Sequence, residues 1–205
     1  MSVPCSFAFS GPNKNEYVEI YNYGTGDVNV NGWWIATNAN GQGTPDVIVS
    51  WDAVNPSVDM GEDVITDTTI IPPNSYAIIL SPLYYIDDGK YSLPYRFPKG
   101  TILLSLGNSE YLGLDSISLL GNSLPYSVLV LYQGTQDFMN EVMSTYGAPS
   151  YGSSPHNIQS ERQDNFPFPI NDCYSVERIV LSSPDNKNNW RIVENGNPGA
   201  GDYYP

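Results

Sequence analysis

Short β-strand patterns separated by turn-forming residues recur along most of this chain. In the segment 16–22, Val18 and Ile20 stand two positions apart, the spacing of a strand that buries one face. The 18 Gly and 17 Pro among 205 residues predict many turns and few helices. Further strands are predicted at 28–30, 32–37, 47–51, 76–80, 101–106, 111–120, 126–132 and 175–180. The sequence therefore predicts an all-β fold, an antiparallel sandwich or a barrel.

The length of the chain suits one domain, and two long segments interrupt the strand pattern. Residues 38–69 and 133–172 are predicted to be insertions, because unstructured loops of such length are uncommon in a small domain and are often functional when ordered. One short helix is expected in the second insertion, at 135–146. There Phe138, Met139, Val142, Met143 and Tyr146 recur at three- and four-residue spacing.

Acidic residues dominate the charge of the chain. It has 8 Lys plus Arg against 22 Asp plus Glu, a formal net charge of −14. Binding to nucleic acid is not expected, because such affinity comes largely from cations that displace counterions. Docking on an anionic lipid surface through a basic patch is excluded for the same reason. The sequence also contains no apolar run of 18 residues, so no transmembrane segment is predicted.

The compartment is inferred from the N-terminus, the composition and the cysteines. Residues 1–5 lack the basic and apolar stretches of a signal peptide, so the protein is intracellular or its signal has been removed. The low Lys content, together with many Asn, Tyr and Ser, favours an exported or cell-surface protein. In an oxidising compartment Cys5 and Cys173 would form a disulfide worth about 4–5 kcal/mol. The alternative is two unpaired, buried thiols.

The residues do not indicate an enzyme. His156 is the only histidine, and no Gly-x-Ser-x-Gly nucleophile elbow accompanies it. Acidic neighbours such as Asp87 and Asp88 are expected by chance among 22 acids and do not indicate glycoside hydrolysis. No catalytic residue is therefore predicted.

Two other groups of residues are candidates for ligand binding. Asp59, Glu62, Asp63 and Asp67 concentrate carboxylates in one loop, which would suit a structural Ca²⁺, although the segment lacks the spacing of a twelve-residue calcium loop. A solvated acidic loop is the alternative interpretation. The chain also has more aromatic residues than one core needs. Exposed rings would stack on sugars or anchor a protein partner, and the candidates are Phe166, Phe168, Tyr84 and Tyr85.

Several segments, in order over residues 15–200, resemble a lamin tail domain. The first segment is the predicted strand Asn15-Glu16-Tyr17-Val18-Glu19-Ile20-Tyr21-Asn22, and Gly32-Trp33-Trp34-Ile35 follows it. Pro72-Pro73-Asn74 then enters the aliphatic strand 76–80, and Leu106-Gly107-Asn108-Ser109 precedes another. The closing signature looks like Ser175-Val176-Glu177-Arg178, then Trp190, then Gly196-Asn197-Pro198-Gly199.

The resemblance implies an immunoglobulin-like antiparallel β-sandwich over residues 1–205, elaborated by the two insertions. The core of this sandwich is expected to take alternating residues, namely Val18, Ile20, Trp33 or Trp34, Ile78 and Leu80. Structural roles are expected for Trp33, Trp34, Glu177, Arg178 and Trp190. Neighbouring strand residues face opposite sides, so one of the paired tryptophans must point away from the core, and Glu177 and Arg178 need separate partners. Arg178 is expected to clamp a carboxylate or backbone carbonyls.

The function implied by the resemblance is that of a non-catalytic binding or tethering module of an exported or cell-surface protein. Its partner would be a protein or a glycan. The alternative is a carbohydrate-binding module that uses the aromatic residues of the insertions, with or without structural Ca²⁺.

Overall fold

The computed structural model describes residues 17–37, 46–82, 84, 97–107, 129–135, 138–146, 174–179 and 190–194. Within these ranges the chain forms short strands and one four-residue helix, so the predicted all-β class is confirmed. The elements are β1 Tyr17–Asn22, β2 Val28–Asn29, β3 Trp34–Thr37, β4 Asp46–Ser50, α1 Trp51–Val54, β5 Ile70–Ile71, β6 Ser75–Leu80, β7 Ile102–Leu106, β8 Leu129–Thr135, β9 Phe138–Tyr146, β10 Tyr174–Arg178 and β11 Trp190–Glu194. In the described part of the chain, no helix has the length and hydropathy needed to cross a membrane.

Seven of the strands form one sheet in the order β1-β6-β7-β4-β3-β8-β9. Two further pairs, β2 with β5 and β10 with β11, form small two-stranded sheets. Antiparallel pairing was expected throughout, but β6 and β7 run parallel, with Ile78 beside Leu103. The large sheet is therefore mixed. A parallel pair needs cover on both faces, which agrees with the continuous apolar sequences of these two strands.

The core of the described residues consists of two apolar clusters on opposite faces of β6 and β7. The members of the first cluster are Val18, Val30, Ile35, Ile48, Ile71, Ala77, Ile79, Ile102, Leu104 and Leu106. The members of the second cluster are Tyr17, Trp51, Ile78, Leu80, Tyr84 and Leu103. The strands β6 and β7 contribute alternate residues to both clusters, so they are covered on both faces in the manner of a sandwich.

The register between β1 and β6 corrects one prediction about the core. Val18, Ile20, Ile78 and Leu80 were expected to share one interior. Instead Val18 pairs with Ile79, so Val18 and Ile20 belong to the face of the first cluster, whereas Ile78 and Leu80 belong to the second. A change of one residue in pairing moves a side chain to the other face of a sheet, and sequence alternation in β1 and β6 did not define their mutual register.

The helix predicted at 135–146 is wrong, because residues 138–146 of this segment form the strand β9 and Thr135 ends the strand β8. Strand β9 pairs with β8 from the Leu129–Tyr146 pair to the Thr135–Phe138 pair. Phe138, Val142 and Tyr146 are four residues apart, and so are the two methionines of this strand. An even spacing of four satisfies a strand period of two as well as a helix period of 3.6, so the spacing alone could not distinguish the two.

The first predicted insertion contains part of the main sheet. Within 38–69, strand β4 lies between β7 and β3, and α1 follows it directly with Trp51 fully buried in the second cluster. The single described helix is thus in the first insertion and not in the second. Three further segments lie outside the described residues, namely 38–45, 147–172 and the strand predicted at 111–120.

Asn22, the last residue of β1, holds the turn that follows this strand. Its side-chain Nδ2 donates to the carbonyl oxygens of Gly26 and Ile71, both at 2.8 Å, and its Oδ1 accepts from the backbone N–H of Gly24 at 2.9 Å. The side chain is buried with all three bonds made. Asn22 therefore replaces backbone partners that the turn and β5 would otherwise lack.

Replacing Asn22 with Ala is expected to lower the free energy of unfolding by about 2–4 kcal/mol, because three hydrogen bonds are lost and a buried carbonyl is left unsatisfied. Asn22→Asp should also destabilise at neutral pH, since a carboxylate oxygen would then face two carbonyl oxygens. Urea unfolding measures both changes. The control is Asn31→Ala in an exposed turn, expected to change stability by less than about 0.5 kcal/mol. Equal effects of the Asn22 and Asn31 substitutions would contradict this role.

Candidate binding surface

The pairing of β1 with β6 brings two tyrosines and a glutamate to one face of the sheet. Tyr21 pairs directly with Tyr76, and Glu19 pairs with Ile78. Residues two apart on a strand, and residues directly opposite on neighbouring strands, share a face. Glu19, Tyr21 and Tyr76, with Asn74 in the turn before β6, are named here the tyrosine surface.

The two tyrosine rings lie against each other. Their centroids are 4.6 Å apart and their planes are inclined by 31°. The Tyr21 hydroxyl donates to Oδ1 of Asn74 at 3.4 Å, a long hydrogen bond. This contact ties one ring to the turn that begins β6.

Asn74 is held in a conformation that places its side chain beside Tyr21. Its φ is 55°, in the left-handed region that Asn tolerates better than most residues. Its backbone N–H donates to the carbonyl of Asn22 at 2.7 Å, so the end of β1 and the turn before β6 are joined directly.

The pKa of the Tyr76 hydroxyl depends on burial and on two neighbouring residues. Burial, then the adjacent Tyr21 and the Glu19 carboxylate, raise the pKa of Tyr76 above its ordinary value of 10. The Tyr76 hydroxyl therefore stays neutral at physiological pH and can donate or accept a hydrogen bond.

The tyrosine surface is partly exposed to solvent. Glu19, Tyr21 and Tyr76 are half-buried, and Tyr23, just beyond the end of β1, is 67% exposed. Towards the other end of the same strands, Tyr17 and Leu80 are buried in the second cluster. The rings therefore extend the buried apolar layer to the molecular surface, which is the arrangement of an amphipathic contact site.

The aromatic residues expected to bind ligand are located differently. Tyr84 is 2% exposed and packs edge-on against Trp51, with ring centroids 6.4 Å apart, and against Phe97 at 6.3 Å. The expectation of an exposed ring is wrong for Tyr84, because its ring fills the second cluster. Tyr85, Phe166 and Phe168 lie outside the described residues.

The acidic loop does not gather its carboxylates around one point. Asp59 accepts the backbone N–H of Gly61 at 2.8 Å, and Asp63 lies 3.5 Å from Lys99 in a highly exposed ion pair. Glu62 and Asp67 are exposed as well. Among the residues described by the structure, no three His, Cys, Asp or Glu side chains are grouped so that they could hold a metal ion.

Removing metal ions is expected to leave this protein equally stable. Treatment with excess EDTA, followed by excess CaCl₂, should not move the melting temperature, because Asp59 and Asp63 already have local protein partners. Differential scanning calorimetry measures the effect. A rise of the melting temperature that depends on Ca²⁺ concentration would contradict this and would show that the ion binds the folded state.

The paired tryptophans face opposite sides, as predicted. Both rings are partly buried. Trp33 packs against the first cluster, to which the buried Ile35 belongs, whereas Trp34 is not part of that cluster and lies opposite Val47. Trp33 is thus the core tryptophan of the pair. Neighbouring residues of an extended chain face opposite sides, so Trp33 shares the side of Ile35 and Trp34 does not.

The residues of the predicted closing signature form the hairpin β10–β11. Glu177 pairs with Arg191, whose Nε and Nη2 donate to one carboxylate oxygen at 3.3 and 3.0 Å. Arg178 pairs with Trp190, and its guanidinium lies 5.9 Å from the centre of the indole ring. The two neighbours have separate partners, as predicted, and the contact shown for Arg178 is a cation–π interaction. Cys5, Cys173 and His156 lie outside the described residues.

Tyr21, Tyr76 and Asn22 were not predicted from the sequence to have a specific role. Alternation in β1 does place Glu19 and Tyr21 on one face, so half of the tyrosine surface was visible in the sequence. The other half depends on the register with β6. Asp46, a fully buried carboxylate at the start of β4, was also missed, since a single acid before an apolar run gives no signal.

Comparison with known proteins identifies no relative of this chain. No family model, no curated protein and no solved structure matches it.

Replacing Tyr76 with Phe should make the protein less sensitive to alkali. In the wild type, unfolded Tyr76 ionises near pH 10 while the folded state retains the proton, so stability is full below pH 10 and decreases as pH rises above it. Urea unfolding between about pH 9 and pH 11 should therefore show a smaller decline for Tyr76→Phe.

The control for this titration is Tyr23→Phe, which removes one hydroxyl from an exposed ring and should leave the decline as steep as in the wild type. Parallel stability curves for the wild type and Tyr76→Phe would contradict the assigned environment of Tyr76.

Proposed function

We propose that this chain is a non-catalytic binding module, an immunoglobulin-like domain of the lamin tail type, that holds a partner at the tyrosine surface. The observation that supports it is the half-buried Tyr21–Tyr76 pair beside Glu19 and Asn74. Tyrosine is enriched in interfaces, because its ring offers apolar area while its hydroxyl keeps a hydrogen-bond partner. The module would belong to an exported or cell-surface protein, for which the composition of the sequence is the support.

A non-catalytic role also agrees with the contacts of the polar side chains that the structure describes. Asn22 closes a turn, Asp59 accepts a backbone N–H, and Glu177 binds Arg191. Each of these groups has a local structural partner. A general acid or base would instead be held within reach of a substrate.

Carbohydrate binding is the second candidate. Tyrosine rings stack on sugars, and the amide of Asn74 and the carboxylate of Glu19 offer hydrogen bonds to hydroxyl groups. The aromatic residues Phe166 and Phe168 of the second insertion are the other expected contacts for this function.

The test compares the wild type, the double variant Tyr21→Leu/Tyr76→Leu and the double variant Phe166→Ala/Phe168→Ala on a glycan array and on a panel of synthetic peptides. Binding that is lost only in the tyrosine variant supports the proposed surface. Binding to glycans that is lost only in the phenylalanine variant would support the second candidate and contradict the use of the tyrosine surface.

Assays with glycosidase, esterase and phosphatase substrates complete the test. The proposal expects no turnover by any of the three proteins. Turnover by the wild type that purification to homogeneity does not remove would overturn the non-catalytic assignment. Circular dichroism and the melting temperature establish that each variant is folded before its binding is compared.

A further inference from the structure

We propose that the partner group bound at the tyrosine surface is a positively charged side chain, the Arg or Lys of a basic protein segment. This inference rests on the proposed function, since it names the chemistry that the binding module would recognise. It is drawn from the placement of Glu19 beside Tyr21 and Tyr76 on one sheet face.

The first argument is the combination of ring faces and a carboxylate. A guanidinium or ammonium within about 6 Å of an aromatic ring centre is attracted by the negative face of the ring. Glu19 is two residues from Tyr21, which is about 7 Å along a strand. A long basic side chain lying across a ring would therefore reach the carboxylate with its charged end, and its methylene groups would cover the apolar part of the ring.

The second argument is charge complementarity. The chain has a formal net charge of −14, so its field attracts cationic partners over a distance and repels anionic ones. At the surface itself, Glu19 brings a carboxylate to the sheet face that carries Tyr21 and Tyr76. The long-range field and the local charge thus favour the same sign of partner.

The third argument is the shape of the ring pair. The planes of Tyr21 and Tyr76 are inclined by 31°, so the two rings do not form one flat platform. A sugar stacked across both rings would need such a platform. A point charge needs only one ring face, so the inclination costs a cation nothing.

The experiment uses the full chain and two peptides in isothermal titration calorimetry at physiological ionic strength. One peptide is acetyl-Gly-Ser-Arg-Gly-Arg-Ser-Gly-amide, and in the other Gln replaces both Arg. The wild type is expected to bind the Arg peptide at least about tenfold more tightly than the Gln peptide.

Matched variants separate the site from the overall charge. Glu19→Gln and Glu62→Gln each remove one negative charge, and Glu62 is an exposed acid in the acidic loop. The proposal expects Glu19→Gln to weaken binding of the Arg peptide about threefold to fivefold and Glu62→Gln to weaken it less than about twofold. Tyr21→Leu should weaken it about threefold or more, because the face of one ring is lost.

Three results would overturn the inference, and they differ in what they mean for the proposed function. Equal losses in Glu19→Gln and Glu62→Gln would show diffuse attraction to an acidic protein. Equal binding of the two peptides, with a neutral glycan bound in a Tyr21-dependent way, would remove the cation and retain the binding module. Binding of no peptide and no glycan would remove both. If Tyr21→Leu does not fold, the two glutamate variants decide the question.

Discussion

The fold depends on burying strand β6 on both faces. Ala77–Leu80 are four consecutive residues with essentially no exposed surface, and they lie between β1 on one side and β7 on the other. Burying one aliphatic side chain contributes about 1.5–3 kcal/mol, whereas an exposed ion pair contributes about 0–1 kcal/mol. The register of β1 is therefore set by the packing of Val18 against the first cluster and Tyr17 against the second. Glu19 and Tyr21 follow from that register without having determined it.

Polar side chains near the ends of the strands and of α1 satisfy backbone groups that the regular elements leave unpaired. Asn22 bonds to the turn and to β5, Ser105 donates to the carbonyl of Leu80 at 3.1 Å, and Asn55 donates to the carbonyl of Pro82 at 3.2 Å. Short strands have many ends for their length, so a fold built from them needs many such contacts. This gives the abundant Asn and Ser of the sequence a structural use that its composition alone does not reveal.

Alternation and turn residues were sufficient to predict the fold class, the positions of β1, β6 and β7 and the separate partners of Glu177 and Arg178. They were insufficient wherever the answer depended on which residues lie opposite each other. Ile78 was assigned to the wrong face because the sequence does not show whether Ile78 or Ile79 lies opposite Val18. The strand β9 was predicted as a helix because its apolar residues are four apart. Tyr84 was expected at the surface because burial depends on α1 and Phe97, which lie far from it in sequence.

The tyrosine surface is less buried than the strand residues Ile78 and Leu80 next to it. Its residues lie at the margin of the second cluster, so substitutions there would remove little buried area, while Ile78 and Leu80 would keep the strands in place. Under the proposed function, the acidic charge of the whole chain and the local ring pair would act on different steps of binding. Long-range attraction mainly raises the association rate, whereas contacts in the desolvated centre mainly lower the dissociation rate. Selectivity for a partner would then reside in Tyr21 and Tyr76 with Glu19, because a diffuse field distinguishes only the sign of a charge.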